Sequence, residues 1–234
     1  MGQTIVEKII SNHAGKDVHQ DELAVVNVDG AMASDTTSPL TIKSFQAMGG
    51  KTLWDPKKVF IVMDHGSPAP NERIANLHVM MRDFAREQGC TLYDLGAGIC
   101  HQLMIENRHV KPGDVFIGAD SHTCSYGAIG ALSTGVGATD LAAVWLTGKI
   151  WMRVPKTIKV EISGQMAPGV TAKDLILALL DKTGIAGATY QSMELVGDGV
   201  TGLTLASRLS MANMFIEAGA KAGFISQQGL ELPY

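Results

Sequence analysis

Cysteine is scarce in this chain. Cys90, Cys100 and Cys124 are the only three among 234 residues, an odd count at wide spacing with no C-x-x-C pair. A disulfide scaffold and a zinc ribbon both need a different pattern, so the expected setting is the reducing cytoplasm. Charge is also sparse, at 18% of residues, with no Lys/Arg cluster and a net of -4. That balance argues against nucleic acid or an anionic membrane surface as a main partner. No apolar stretch runs unbroken long enough to span a bilayer. The opening MGQTIVEKII mixes acid and base where a secretion signal would place a basic segment and then an apolar block, and it lacks the Ser or Thr of a myristoylation site. Fixed-period repeats are missing too. With 46% hydrophobic residues, the chain can bury a sizeable core in one large or two ordinary domains.

Apolar runs alternate with helical patterns, which points to a layered α/β fold. Thr4 and Glu7 form a capping box ahead of a helix that should end near Gly15. Leu23 to Val28 reads as a strand, and Ser38-Pro39 opens a helix that should stop at Gly49-Gly50. Val59 to Met63 is a second strand. Asn71 should cap a helix carrying Ile74, Leu77, Met81 and Phe84, closed by Gly89. Thr91 to Leu95 and Val115 to Ile117 are strand-like, and a helix starting at Thr139 or Asp140 should reach Ile150. A new unit begins near residue 154: Ile158, Val160 and Ile162 alternate, Thr171 and Asp174 cap a helix, Met193 to Val196 is strand-like, and a last helix runs from about Thr204 to Ala218.

One partial echo organises the chemistry. Val59-Phe60-Ile61-Val62-Met63-Asp64-His65 and Val115-Phe116-Ile117-Gly118-Ala119-Asp120-Ser121-His122 are both buried-strand runs that discharge into Asp and then His. In α/β sheets, ligands bind just past the carboxyl ends of strands. Two such strands in one sheet would put two Asp/His groups on one edge, and His101, after the glycines of GAGICHQ, would be a third imidazole. An Asp beside a His raises the imidazole pKa and fixes its tautomer, which suits a general acid. The same side chains could instead hold a mononuclear metal, although no H-x-x-x-H or H-x-H spacing supports it. The other histidines, His13, His19, His78 and His109, sit in loop or surface-helix contexts and read as solvated. Gly127, Gly130, Gly135 and Gly137 let backbone approach something closely, but GAIGALSTGVG lacks the lysine of a phosphate loop. Asn213 and Glu217, four apart on one helical face, read from spacing alone as a surface pair.

GICHQLMIENRHVKPGDVFIGADSHTCSYGAIGALSTGVGATD, preceded by VMDHGSPAPN and followed by RLSMANMFIEAGAKAG, resembles the aconitase superfamily. Within it, the resemblance is to the large subunit of 3-isopropylmalate dehydratase and the archaeal-type homoaconitase. It implies three-layer α/β/α domains on a largely parallel or mixed sheet, with residues 1–153 forming the first domain and 154–234 part of a second. It implies a hydro-lyase that moves a hydroxyl on a malate-type acid by dehydration and rehydration, 3-isopropylmalate or a homocitrate or methylmalate relative. A [4Fe-4S] cluster would act as Lewis acid, and a small swivelling subunit would be the partner. By this resemblance Asp64 and His65 protonate the departing hydroxyl, His101 pairs with Glu217, Asp120 pairs with His122, Ser121 contacts a substrate carboxylate, and Asn213 lies beside the cluster.

The departures carry their own expectations. The family's cluster cysteines match none of Cys90, Cys100 or Cys124, so the chain is expected to be an N-terminal part that cannot assemble the cluster alone. Leu40 stands where isopropylmalate-type sequences place glutamine after T-S-P. The expected room made by the glycines is for substrate and cluster. Two other readings stay open: a catalytically silent scaffold, and a mononuclear metallohydrolase built on the same Asp/His set.

Overall fold

A computed structural model describes residues 2–230. Helix α1 (Ile5–Ala14) starts at the expected capping box and ends on Gly15 with φ 69°. After β1 (Leu23–Asn27) comes a strand the apolar pattern did not announce, β2 (Gly30–Ser34), whose five residues, small apart from Met32, are all buried. Next come α2 (Ser38–Ala47), with proline in its first turn, and β3 (Val59–Val62). In α3 (Glu72–Gln88) the Asn71 side chain accepts from the Ile74 N–H and Gly89 closes the last turn. Then follow β4 (Thr91–Tyr93), α4 (Cys100–Glu106) and β5 (Val115–Gly118). A run of 3-10 turns over Ser121–Ile129 leads to β6 (Leu132–Gly135) and α5 (Ala138–Thr147). Helix α5 stops at Gly148, so Ile150 lies in β7 (Lys149–Arg153) instead of the helix. The chain continues through β8 (Thr157–Glu161), α6 (Ala172–Thr183) and β9 (Ser192–Val196). Helix α7 (Leu205–Asn213) tightens into 3-10 turns over Met214–Ala218 and so falls short of the single helix expected there; β10 (Ala222–Ile225) follows.

The central sheet is wholly parallel, in the order β4-β3-β2-β5-β6. Its strand residues alternate between two cores, as a pleated sheet buried on both faces requires. Ala31, Ala33, Ile61 and Ile117 face Phe45, Phe84 and Trp145 of α2, α3 and α5. Met32, Phe60, Val62 and Phe116 face Leu103 and Met104 of α4 together with Tyr126. Helical layers therefore cover both faces. From β2 the chain steps outward to β3 and β4, then returns to pair β5 on the other side of β2. In open parallel sheets a ligand site is expected where the winding direction reverses, here beyond the carboxyl ends of β2 and β5.

A second parallel sheet has the order β10-β9-β8, with Ile176, Met193, Leu195, Met211 and Phe215 in its core. Strand β10 also sends Ala222 and Phe224 into the core of the central sheet. The close approach depends on Gly127: a Cβ there would lie 1.7 Å from the Gly223 carbonyl oxygen. Among the described residues only β1 and β7 pair antiparallel, as a separate two-stranded ribbon. Among the described residues, no helix is long and apolar enough to cross a membrane.

Candidate active site

All strands of the central sheet run the same way, so their carboxyl ends share one edge. Asp35 follows β2, Asp64 and His65 follow β3, and Asp120 to His122 follow β5. His101 arrives from the first turn of α4, whose leading N–H, that of Cys100, donates to Asp64 Oδ2 at 2.7 Å. The other Asp64 oxygen lies 2.8 Å from His65 Nδ1. Asp64 is thus held by two partners and orients the His65 ring.

Asp120 is the hub. Its Oδ1 accepts from the His122 N–H at 2.8 Å and lies 2.9 Å from His101 Nε2, while Oδ2 is 3.4 Å from His65 Nε2. Burial works to raise the Asp120 pKa, but hydrogen bonding and charge from His101, the His122 amide and the His65 charge outweigh it and hold the acid at about 2. His65 is pushed the other way. Burial would lower its pKa, yet the hydrogen bond to Asp64 and the charges of Asp64, Asp120 and Asp35 raise it above the ordinary imidazole value. Tyr126, fully buried, places its hydroxyl 3.1 Å from His101 Nδ1; burial keeps that phenol protonated far above its usual range.

The expected pairing is exchanged in the structure. His101 pairs with Asp120, whereas His122 Nε2 lies 3.5 Å from Glu217 Oε1 and its Nδ1 is 3.8 Å from Asp120. The reason is the tight run after Asp120: its backbone, capped by the Asp120 carboxylate, directs the His122 ring away toward the 3-10 turns after α7. Ser121 Oγ sits 3.2 Å from His122 Nδ1. Asn213 Nδ2 donates to Ser125 Oγ at 3.1 Å, and Ser125 in turn donates to the His122 carbonyl at 2.7 Å. His101, Asn213 and Glu217 line one cleft of about 490 Å³ with Lys173, so the pair that read as surface shares a cleft with His101. Asp120 and Ser121 line a second cleft of about 590 Å³ with Asp140, Tyr190 and Lys221.

Some glycines do something other than expected. A Cβ on Gly135 would lie 2.5 Å from the Asp120 carbonyl oxygen, and one on Gly118 2.1 Å from Thr123 Oγ1. Gly135 lets backbone pass tightly beside Asp120, Gly118 makes room for the Thr123 side chain and Gly127 for β10; a Cβ on Gly137, by contrast, would make only an ordinary contact, with Asp140 Oδ2 at 3.8 Å. Three histidines read as solvated are not. Half-buried His13 lies 2.6 Å from Asp29 Oδ2, His78 is buried against Asp35, and half-buried His109 packs on Phe60 with ring centroids 4.2 Å apart and hydrogen-bonds the Tyr93 hydroxyl at 2.6 Å.

The cysteines lie in three different hydrophobic cores: Cys90 under α2 and α3, Cys124 against α7, and Cys100 under the central sheet. Burial pushes the Cys90 thiol to about 11 and the Cys124 thiol to about 12, and burial with the Asp64 charge raises Cys100 as well. Three dispersed, protonated thiols do not fit an iron-sulfur cluster. Among the described residues, one compact donor set exists: a carboxylate oxygen of Asp64, a ring nitrogen of His65 and the Cys100 sulfur lie within 4.8 Å of one another.

Residues 7–234 match the model of the Aconitase family (aconitate hydratase). The chain belongs to that family. A "3-isopropylmalate dehydratase large subunit 1" from Methanopyrus kandleri is 45% identical over 235 residues, covering 100% of this chain and 56% of its own length. The Moorella thermoacetica "3-isopropylmalate dehydratase large subunit" is 49% identical over 226 residues, covering 95% of this chain and 54% of the relative. This aconitase-family chain therefore spans about half the length of the curated relatives it matches. Among solved structures, Thermococcus kodakaraensis aconitase X in its holo-form superposes with a TM-score of 0.51 at 13% identity, over 96% of this chain and 61% of the other. That likeness supports the mixed α/β fold with parallel sheets.

Aconitase-family membership implies an iron-sulfur cluster generally, but its cysteine set is not found among the described residues. Tyr126, against His101, and the buried pair Asp35 and His78 behind the site were missed by sequence reasoning. A signal existed for two of them. Gly30-Ala-Met-Ala-Ser-Asp35 repeats the strand-then-Asp pattern in small residues, and His78 falls on the same helical stripe as buried Met81 and Ala85.

Proposed function

We propose that this chain supplies the acid-base side of a hydro-lyase that dehydrates and rehydrates a malate-type acid, of which 3-isopropylmalate is the first candidate because it stands in the relatives' names. The observation that carries the reading is one carboxylate, Asp120, shared between two imidazoles, His65 and His101, at the carboxyl edge of a parallel sheet. Eliminating water breaks a C–O and a neighbouring C–H bond. The hydroxyl leaves with an added proton, the C–H proton passes to a base supplied from outside this chain, and the electrons of the C–H bond form the double bond. A proton donor must therefore stand at the hydroxyl, and a raised imidazole suits that task near neutral pH.

In this reading, His65 donates that proton from Nε2, with Asp64 fixing the ring through Nδ1. Asp120 stays ionised, keeps His65 and His101 oriented, and leaves His65 ready to carry charge. His122 with Glu217 forms a third pair on the rim of the site, beside Ser121, which is suited to a substrate carboxylate. Asn213 steadies the segment through Ser125. The cluster ligands and the small subunit, if used, are supplied from outside this chain; residues 1–153 and 154–234 would serve as a first domain and part of a second. A second reading is favoured by the Asp64, His65 and Cys100 donor set: a single divalent metal at that point. Elemental analysis of the purified chain separates the two. The central test is His65→Asn in the assembled dehydratase, where turnover should fall by roughly 100-fold or more.

A further inference from the structure

A further Asp/His pair lies behind the site and touches neither cleft. Asp35, just past β2, and His78, on α3, each leave only 2% of the side chain exposed. The Asp35 carboxylate receives three donors: Oδ1 takes the His65 N–H at 3.0 Å, and Oδ2 takes the Gly66 N–H at 2.8 Å and His78 Nε2 at 3.2 Å. Oδ1 is 4.0 Å from His65 Nδ1, too far for a hydrogen bond to the ring. Asp35 thus grips the backbone of the turn that carries His65. The grip is tight, since a Cβ on Gly66 would lie 3.2 Å from Asp35 Oδ2 and 3.3 Å from Ile74 Cγ2 of α3.

We propose that Asp35 and His78 are a positioning pair: α3, through His78, fixes the rotation of the Asp35 carboxylate, and Asp35 fixes the peptide planes of His65 and Gly66, so that the His65 ring stands between Asp64 and Asp120. The kinetic consequence rests on the hydro-lyase reading; the geometric one does not. A carboxylate with two backbone donors and no third partner can turn about its own bond, and a ring displaced by about 1 Å is enough to cost roughly 100-fold in rate.

The test uses the 15N-labelled chain and three substitutions. In His78→Leu, the amide protons of His65 and Gly66 should exchange at least about tenfold faster, while those of Met81 and the rest of α3 stay protected. His78→Gln retains an N–H donor and should restore slow exchange. In the assembled dehydratase, His78→Leu should lower kcat by roughly 10- to 100-fold with KM little changed, and His78→Gln should recover most of it. Should His78→Leu fail to fold, Asp35→Asn, which turns one acceptor into a donor, should produce the same local loss of protection. Unchanged His65 and Gly66 exchange in a folded His78→Leu or Asp35→Asn chain would overturn the proposal. If the amides respond as stated but the unsubstituted assembly dehydrates no malate-type acid, the positioning pair stands and the hydro-lyase reading falls.

Discussion

Replacing Asp120 by Asn removes a charge while keeping the shape of the side chain, and its cost follows from the surroundings. The carboxylate is 11% exposed and receives His101 Nε2, the His122 N–H and, more distantly, His65. Its pKa falls from an ordinary 3.8 to about 2, which corresponds to about 2 kcal/mol of folding stability. The sign is that of a depressed acid. The contribution is fully present above the unfolded value of 3.8 and is lost as pH falls through the folded value of about 2. Urea unfolding of the chain and of Asp120→Asn should therefore differ by about 2 kcal/mol at pH 6, with the gap closing as pH is lowered from 4 toward 2. The asparagine oxygen can still accept from the His122 N–H and from His101 Nε2, so the loss reports mainly the missing charge and the contact to His65. Equal stability at pH 6, or a gap that does not change with pH, would refute the account of Asp120 as an ionised hub.

Two further substitutions probe the scaffold. Arg208 on α7 is fully buried and, among the described residues, donates to the carbonyl oxygens of Leu203, Val200, Thr201, Ser226 and Gln228. Arg208→Met relieves a buried charge but strips donors from two backbone segments; the second effect should win, lowering stability by about 3 kcal/mol in urea unfolding. Gly127→Ala drives a Cβ to 1.7 Å from the Gly223 carbonyl oxygen. Backbone must move, so a loss of about 3 kcal/mol is expected, with a lowered melting temperature as the readout.

Much of this architecture was legible because hydrophobic burial writes it plainly. Val59 to Val62 and Val115 to Gly118 are buried on both faces of the sheet and so read as unbroken apolar runs, each ending in its Asp and His. Helix α3 declared itself through Asn71, Gly89 and its stripe. Strand β2 escaped because Gly30-Ala-Met-Ala-Ser34 is central yet small, and a Cβ on Gly30 would lie 2.4 Å from the Phe116 ring. Its bulk is supplied by a neighbour, so no apolar run marks it. The pairing of His101 with Asp120 was equally invisible, since it depends on where α4 starts relative to β5 and not on spacing along the chain. Glu217 reached His122 through 3-10 turns that helical periodicity does not describe.

The central claim is that His65, held by Asp64 and set against Asp120, donates the proton that makes water a leaving group. It is tested most directly by the pH profile of dehydration of 3-isopropylmalate and related malates in the assembled enzyme carrying this chain, with and without His65→Asn. Because the His65 pKa is raised, the acid form should persist, and activity should hold, past the ordinary imidazole value of 6.5 before falling at higher pH. His65→Asn should lower kcat by roughly 100-fold or more and abolish that alkaline limb. Near-normal turnover in the variant with the same alkaline limb would contradict the account.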